Sequence, residues 1–180
     1  MLPDQPWLVV CPHCNALVWI DELEELGELD PGYRPFIEEP ERQVEIRGKQ
    51  DLIEDARPYR APTMQEFLRL LESGLSDPER VRYVRLRAWW TANDARRGNP
   101  EATPLSRPET QNLEQLAAML DESNDHHRIM KAEIMRELGR FDEARKLLKV
   151  EFPSDLAHAA SLIRKLAERG DRIIREIAST

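Results

Sequence analysis

Ala132-Glu133-Ile134-Met135-Arg136-Glu137-Leu138-Gly139-Arg140-Phe141-Asp142-Glu143-Ala144 is the stretch whose reading decides the fold. Ile134, Met135 and Leu138 form the end of an apolar helical stripe. Gly139 follows, a residue free to take the left-handed conformation that closes a helix. Phe141 and Ala144 then open a second apolar stripe. Ala132 and Ala144 are small enough for two helices to approach, and Phe141 is expected to pack between them. Stopping one helix and starting another across so short a link forces the chain back on itself, so the run predicts an antiparallel helical hairpin.

Similar punctuation extends outward from this hairpin. Ser/Thr-x-x-Glu capping boxes stand at Thr63–Glu66, Ser76–Glu79 and Ser106–Glu109, each satisfying free amides ahead of an apolar run. Met64, Phe67, Leu68 and Leu71 have the i, i+3, i+4, i+7 spacing of a helix face, as do Leu113, Leu116, Ala117 and Leu120. Stop signals follow at Gly74, Gly98, Gly139 and Gly170, and Pro153-Ser154-Asp155 starts a further helix. Seven helices are predicted: 63–73, 77–95, 108–122, 125–138, 141–150, 155–169 and 171–178. Most links between them are short; the break at Gly98–Arg107, with Pro100 and Pro104, is longer. Met130 and Met135 read as core packing.

Charge and proline separate a different N-terminal part. Residues 1–57 hold fourteen Asp/Glu against five Lys/Arg, whereas residues 58–180 are close to balanced within a chain of net charge −8. Pro3, Pro6, Pro12, Pro31, Pro35, Pro40 and Pro58 fall in the acidic part, which favours short strands and loops. Trp7–Val10 and Ala16–Ile20 read as two short β runs around Cys11–Asn15. Asp21–Gly27 reads as one turn of acidic helix or an acidic loop, and Val44, Ile46, Leu52 and Ile53 as a strand or short helix. The expected organisation is a mainly α protein of antiparallel helical hairpins with a small N-terminal β-turn element, divided into residues 1–60 and 61–180.

Residues 125–153 resemble a tetratricopeptide-type helical hairpin, with Gly139 and Gly170 as repeated turn glycines. That repeat is normally about 34 residues long and ends in proline; here Pro153 comes early and residues 155–178 match less well. The resemblance implies a stack of helical hairpins. Together with the N-terminal cysteines, it looks like small cytoplasmic bacterial proteins that pair a Cys-Pro-x-Cys knuckle with such helices. A cytoplasmic location is therefore expected.

Cys11-Pro12-His13-Cys14 has the spacing at which two thiolates grip one ion while the amides of the turn point at sulfur. It resembles the Cys-Pro-x-Cys knuckle of zinc-ribbon and rubredoxin-like modules, with Asn15 in the position that tolerates positive φ. The resemblance implies zinc held by Cys11 and Cys14. The remaining two ligands would come from His126, His127, His158, a carboxylate or a second chain in a homodimer. The same four residues are identical to the dithiol motif of DsbA-like thiol oxidoreductases, which implies Cys11 as nucleophile and Cys14 as resolving thiol. That chemistry depends on a first cysteine at a helix N-terminus, and Ala16–Ile20 reads as strand. A third reading leaves both cysteines as inert turn residues.

Residues 80–97 interleave Arg80, Arg82, Arg85, Arg87, Arg96 and Arg97 with Tyr83, Trp89 and Trp90. Basic side chains with aromatics recur where proteins hold phosphates and stack bases, but a pI near 5.2 has the wrong sign for phosphate steering. Two readings remain. The acidic run Asp21, Glu22, Glu24, Glu25, Glu28 and Asp30 docks on this helix, with Val81, Val84, Ala88 and Trp89 facing the core. Alternatively Arg82, Arg85, Trp89 and Trp90 form a partner-binding groove.

His126 and His127 follow Asn124-Asp125 at a helix start and point about 100° apart, which favours solvent-facing positions; His158 reads as a core-edge residue. No carboxylate pair is oriented as general acid and base. The sequence contains no Gly-rich phosphate loop, nucleophile elbow or His-Glu-x-x-His, so no catalytic residue is assigned. No apolar run approaches the roughly 20 residues of a membrane span. Met1–Val10 lacks a basic n-region, so neither a signal peptide nor a membrane partner is expected. The resulting expectation is a non-enzymatic protein–protein interaction module, an adaptor or inhibitor-type partner. Its competitor is a thiol–disulfide oxidoreductase.

Overall fold

A computed structural model of the chain describes residues 6–24, 57–97 and 104–174. Contacts cluster into two compact units, Met1–Pro62 and Thr63–Thr180. Among the described residues the protein is mainly helical, with one small antiparallel sheet. The expectations for Val44, Ile46, Leu52 and Ile53, and for Glu25, Glu28 and Asp30, lie outside the described residues.

In the first unit β1 (Leu8–Val10) pairs antiparallel with β2 (Leu17–Trp19) in the register Leu8 to Trp19, Val9 to Val18 and Val10 to Leu17. Branched and aromatic side chains fit this pleated surface. Leu8, Val9, Val10 and Trp19 are buried. Arg60 bridges β1, its carbonyl accepting the Val10 N–H at 3.0 Å. One 3-10 turn, Ile20–Glu22, follows β2.

The second unit contains α1 (Met64–Glu72), α2 (Pro78–Arg96), α3 (Arg107–Met119), α4 (Asp125–Glu137), α5 (Phe141–Leu147) and α6 (Ser154–Glu168). Capping boxes start α1 at Thr63–Glu66 and α3 at Ser106–Glu109. The third expected box does not form: Asp77, one residue after Ser76, accepts the Arg80 amide at 2.8 Å, and Pro78 occupies the first turn. A carboxylate directly before proline is the better cap, because its charge also meets the positive end of the helix dipole.

Each helix packs on the next in sequence, and α4 also packs on α6. Trp89, Leu113, Leu116, Leu120, Ile134 and Met135 form the larger core with Ala117, Ala144 and Ala167. A second cluster joins Ala132, Leu148, Ala160 and Ile163. Ala132 and Ala144 are fully buried, as close helix approach requires. Gly139 has φ +77°, and a Cβ there would stand 3.0 Å from Arg172 Cζ. Gly170, at φ +65°, turns the chain beside the Phe141 ring.

No helix begins at residue 171. Residues 171–174 are irregular because the Asp171 and Ile173 carbonyls accept Arg136 Nη1 at 2.7 and 3.0 Å. The Asp171 carboxylate also accepts the Ile173 amide at 2.8 Å. The rest of that expected helix lies outside the described residues.

Candidate functional site

The exposed side of α2 is built by helical periodicity. Tyr83, Arg87, Trp90, Asp94 and Arg97 recur at i, i+4, i+7, i+11 and i+14 and fall within about 80° of one another around the axis. Trp90 is 43% exposed, and the Arg87 guanidinium carbon lies 5.8 Å from its ring centroid, within cation–π range. Asp94 and Arg97 form an exposed ion pair at 3.0 Å. Arg82 flanks the stripe and is exposed.

The opposite side of α2 is fixed to the core. Trp89 is buried, and its indole N–H donates to Glu137 Oε2 at 2.8 Å. Asn93 Nδ2 donates to Glu137 Oε1 at 2.9 Å. Arg85 and Asn112 exchange two bonds: Arg85 Nη1 donates to Asn112 Oδ1 at 3.3 Å, and Asn112 Nδ2 donates to the Arg85 carbonyl at 3.0 Å. Burial lowers the Arg85 pKa. Arg96 pairs with Glu109 at the far end of the helix. Of the four residues expected to contact a partner, Arg82 and Trp90 lie on the accessible side. Trp89 and Arg85 instead brace the helix from beneath, as the alternative sequence reading placed Trp89. Arg87 was the missed contributor; its i−3 spacing from Trp90 was the available signal.

Val84, Ala88 and Trp89 are buried, while the described acids Asp21, Glu22 and Glu24 are exposed. His126 and His158 are exposed, and His127 is half-buried, its Nδ1 accepting the Asp121 amide at 3.4 Å. For His158 this corrects the core-edge expectation: α6 turns Ala160, Ile163 and Ala167 inward instead. Met135 is buried and Met130 packs beside it in the larger core.

Among the described residues of the second unit are a cleft and a groove. A narrow cleft with about 10 Å³ of free volume is lined by Met64, Leu68, Trp89, Arg96, Leu105 and Glu109 among others. It falls below the range of roughly 300–1,000 Å³ typical of small-molecule sites. An open groove of about 500 Å³ runs past Gly139 and Gly170. Its Arg140 and Arg145 are paired with Glu143 and Asp142.

In the first unit, Cys11 to Cys14 form the turn between β1 and β2. The Cys11 amide donates to the Ala16 carbonyl at 2.9 Å, and the Asn15 amide donates to the Cys11 carbonyl at 3.0 Å. Asn15 takes φ +59°, the left-handed position expected of it. Cys11 is half-buried, Cys14 is exposed, and neither is in a disulfide. Amides of Cys14 and then His13, with the Cys14 thiol, donate to the Cys11 sulfur and lower its pKa. Such bonds stabilise a thiolate whether it is a metal ligand or a nucleophile. Two sulfur donors fit half of a tetrahedral zinc set. Among the described residues no cluster of three or more His, Cys, Asp or Glu is arranged to hold a metal. No described helix is long and apolar enough to cross a membrane. No protein-family model, curated protein or solved structure matches the chain.

Proposed function

We propose that the protein is a non-enzymatic interaction module whose helical unit presents the Tyr83-Arg87-Trp90 side of α2 to a protein partner carrying an acidic, aromatic-accepting segment. The observation that carries this reading is Trp90, 43% exposed beneath an Arg87 guanidinium on a helix whose other side is locked into the core. Tryptophan and arginine are the residues that dominate binding energy at protein interfaces. A rigid helix also presents them without the ordering cost of a loop. Arg82 beside the stripe would attract a carboxylate. The likeness of residues 125–153 to a tetratricopeptide hairpin belongs to the same reading: α4, α5 and α6 pack together, and such stacks serve as docking platforms.

Tagged protein recovered from its own cells tests the proposal, with wild type compared against Trp90→Ala and Arg87→Glu. A stoichiometric protein retained by wild type and lost from both variants, with their helical circular dichroism unchanged, supports it. Equal recovery by all three, or no partner, overturns it.

A second reading rests on the amides around the Cys11 sulfur. In it the Cys11 thiolate attacks a substrate disulfide, forms a mixed disulfide and expels a substrate thiolate. Cys14 then attacks Cys11 Sγ, releasing the second substrate thiolate and leaving a Cys11–Cys14 disulfide. The turn is followed by β2 rather than by a helix whose dipole would stabilise the thiolate, so this is the weaker reading. Alkylation rate against pH decides it: a metal-free Cys11 that titrates near the free-thiol value of about 8.5 removes the redox case.

A further inference from the structure

We infer that the exposed stripe of α2 docks on the same stripe of a second copy of this chain, the two helices running antiparallel about a two-fold axis at Trp90. This rests on the preceding reading of that side as a docking surface and names its occupant. A contact between identical patches requires a patch that complements itself when turned end for end, and the stripe meets that condition. Counted from Trp90, Arg87 lies three residues back and Asp94 four ahead, about 4.5 and 6 Å along the axis. Tyr83 and Arg97 lie seven residues to either side, about 10.5 Å each. Reversing one helix on the other therefore brings the two Trp90 rings together at the axis. It also sets each Arg87 against an Asp94 and each Arg97 against a Tyr83 ring. A parallel pairing would instead place Arg87 on Arg87 and Asp94 on Asp94, and like charges across an interface are strongly disfavoured.

The side chains are disposed for these pairs. Trp90 is a large exposed ring, and two such rings gain from offset stacking beyond the area they bury. Arg87 has the Trp90 ring against its guanidinium, but its Nε is buried without a hydrogen bond and it has no ion-pair partner among the described residues. A carboxylate from the second copy supplies that partner. Asp94 is held by Arg97 of its own helix at 3.0 Å, with both side chains more than half exposed. Such a pair contributes little, so Asp94 can turn to the opposing Arg87 at small cost. Glu79 is exposed on the same side of α2 and stands about 6 Å along the axis beyond Tyr83, where it adds a carboxylate for the opposing Arg97. Arg82 lies about 100° around the helix from Tyr83, at the flank of the contact. One 19-residue helix face against its twin buries less than the roughly 1,200–2,000 Å² of a standard interface, so the dimer dissociates on dilution.

The test is sedimentation equilibrium of the full-length chain over a wide concentration range. Mass should rise with concentration from 21.0 kDa toward twice that value. Trp90→Ala, Arg87→Glu and Asp94→Arg should each weaken self-association at least about tenfold, with helical circular dichroism unchanged. Mixing Arg87→Glu with Asp94→Arg supplies the decisive arm. In the mixed pair position 87 of each chain meets an opposite charge at position 94 of the other, so the mixture should dimerise where neither variant does alone. A monomer at every concentration, a dimer indifferent to these substitutions, or a mixture that stays monomeric would each overturn the inference. A monomer that still captures a different protein from cells through Trp90 overturns the second copy as occupant and leaves the docking surface standing, which separates this result from the preceding one.

Discussion

Trp89 on α2 donates its indole N–H to the carboxylate of Glu137 at the end of α4, 2.8 Å away and forty-eight residues along the chain. The second carboxylate oxygen accepts Asn93 Nδ2. Two donors from one helix thus fix an acid that is only 3% exposed, and they hold the stripe-bearing helix in its rotation. Asn93 Oδ1 in the same cluster has no hydrogen-bond partner.

Burial, then the nearby Glu133 charge, push the Glu137 carboxyl up to about 7 from 4.5, against the opposing pull of Trp89, Arg136 and Asn93. The folded state therefore binds a proton more tightly than the unfolded chain does. This contribution to stability is fully present below pH 4.5 and is lost as pH rises from there through about 7. Its size is on the order of 3 kcal/mol. Glu137→Gln removes the titration, and a flipped Asn93 would offer its unpaired oxygen to the new amide. Urea midpoints measured from pH 4.5 to 8 should fall for wild type relative to the variant; parallel curves would show that Glu137 titrates normally.

Glu109 works in the opposite direction. Burial alone would raise its carboxyl, but bonds from the Ser106 hydroxyl and amide, and then Arg96, hold it below the ordinary carboxylate range. Its contribution is present at neutral pH and is lost as pH falls through that lowered value. Ser106→Ala removes one cap and should cost about 1 kcal/mol. Glu109→Ala removes the reciprocal capping bond and leaves Arg96 without its partner, for about 3 kcal/mol. Thermal denaturation at pH 7 ranks the two; equal losses would mean that the Arg96 pair contributes nothing.

Gly139→Ala tests the turn at the heart of the hairpin. A left-handed conformation costs a non-glycine residue about 1–2 kcal/mol. The added methyl would also press on the Arg172 guanidinium, whose Nε donates to the Glu137 carbonyl at 3.1 Å. In an Arg172→Ala background the steric part disappears and the conformational part remains. A double-mutant cycle in urea should therefore show positive coupling. Purely additive losses would mean that Arg172 yields without cost.

The helices of the second unit were legible because their signals are local: Thr63–Glu66, Ser106–Glu109, Gly139 and the Leu113–Leu120 stripe act over a few residues. Asn15 was legible for the same reason, since few residues tolerate its φ. What escaped was decided by distant partners. Nothing near residue 171 announces that Arg136, thirty-five residues earlier, takes the Asp171 carbonyl and stops a helix there. Glu137 reads as one acid among thirty-four; only packing against Trp89 and Asn93 makes it a buried titrating group. For the Arg/Trp helix, periodicity could separate Trp90 from Trp89. Which of the two faced the core depended on α3 and α4.

Arg136 offers the sharpest test of how the end of the described chain is held. Its side chain is fully buried. Nε and Nη2 form a two-pronged pair with Glu133 at 2.8 and 2.5 Å, and Nη1 reaches the Asp171 and Ile173 carbonyls. Burial works against the charge, but Glu133 outweighs it and the pKa is raised, so the guanidinium stays ionised at all working pH values. Lysine keeps the charge but lacks the planar fork, so Arg136→Lys can hold Glu133 or the carbonyls, not both. Such a substitution should cost about 3 kcal/mol, the scale for breaking a buried pair. It should also speed proteolysis after Arg169 and Arg172 while leaving cleavage within α2 and α3 slow. Uniformly faster cleavage throughout would mean that Arg136 supports the whole unit, and unchanged cleavage would mean that residues 171–173 are held by other contacts.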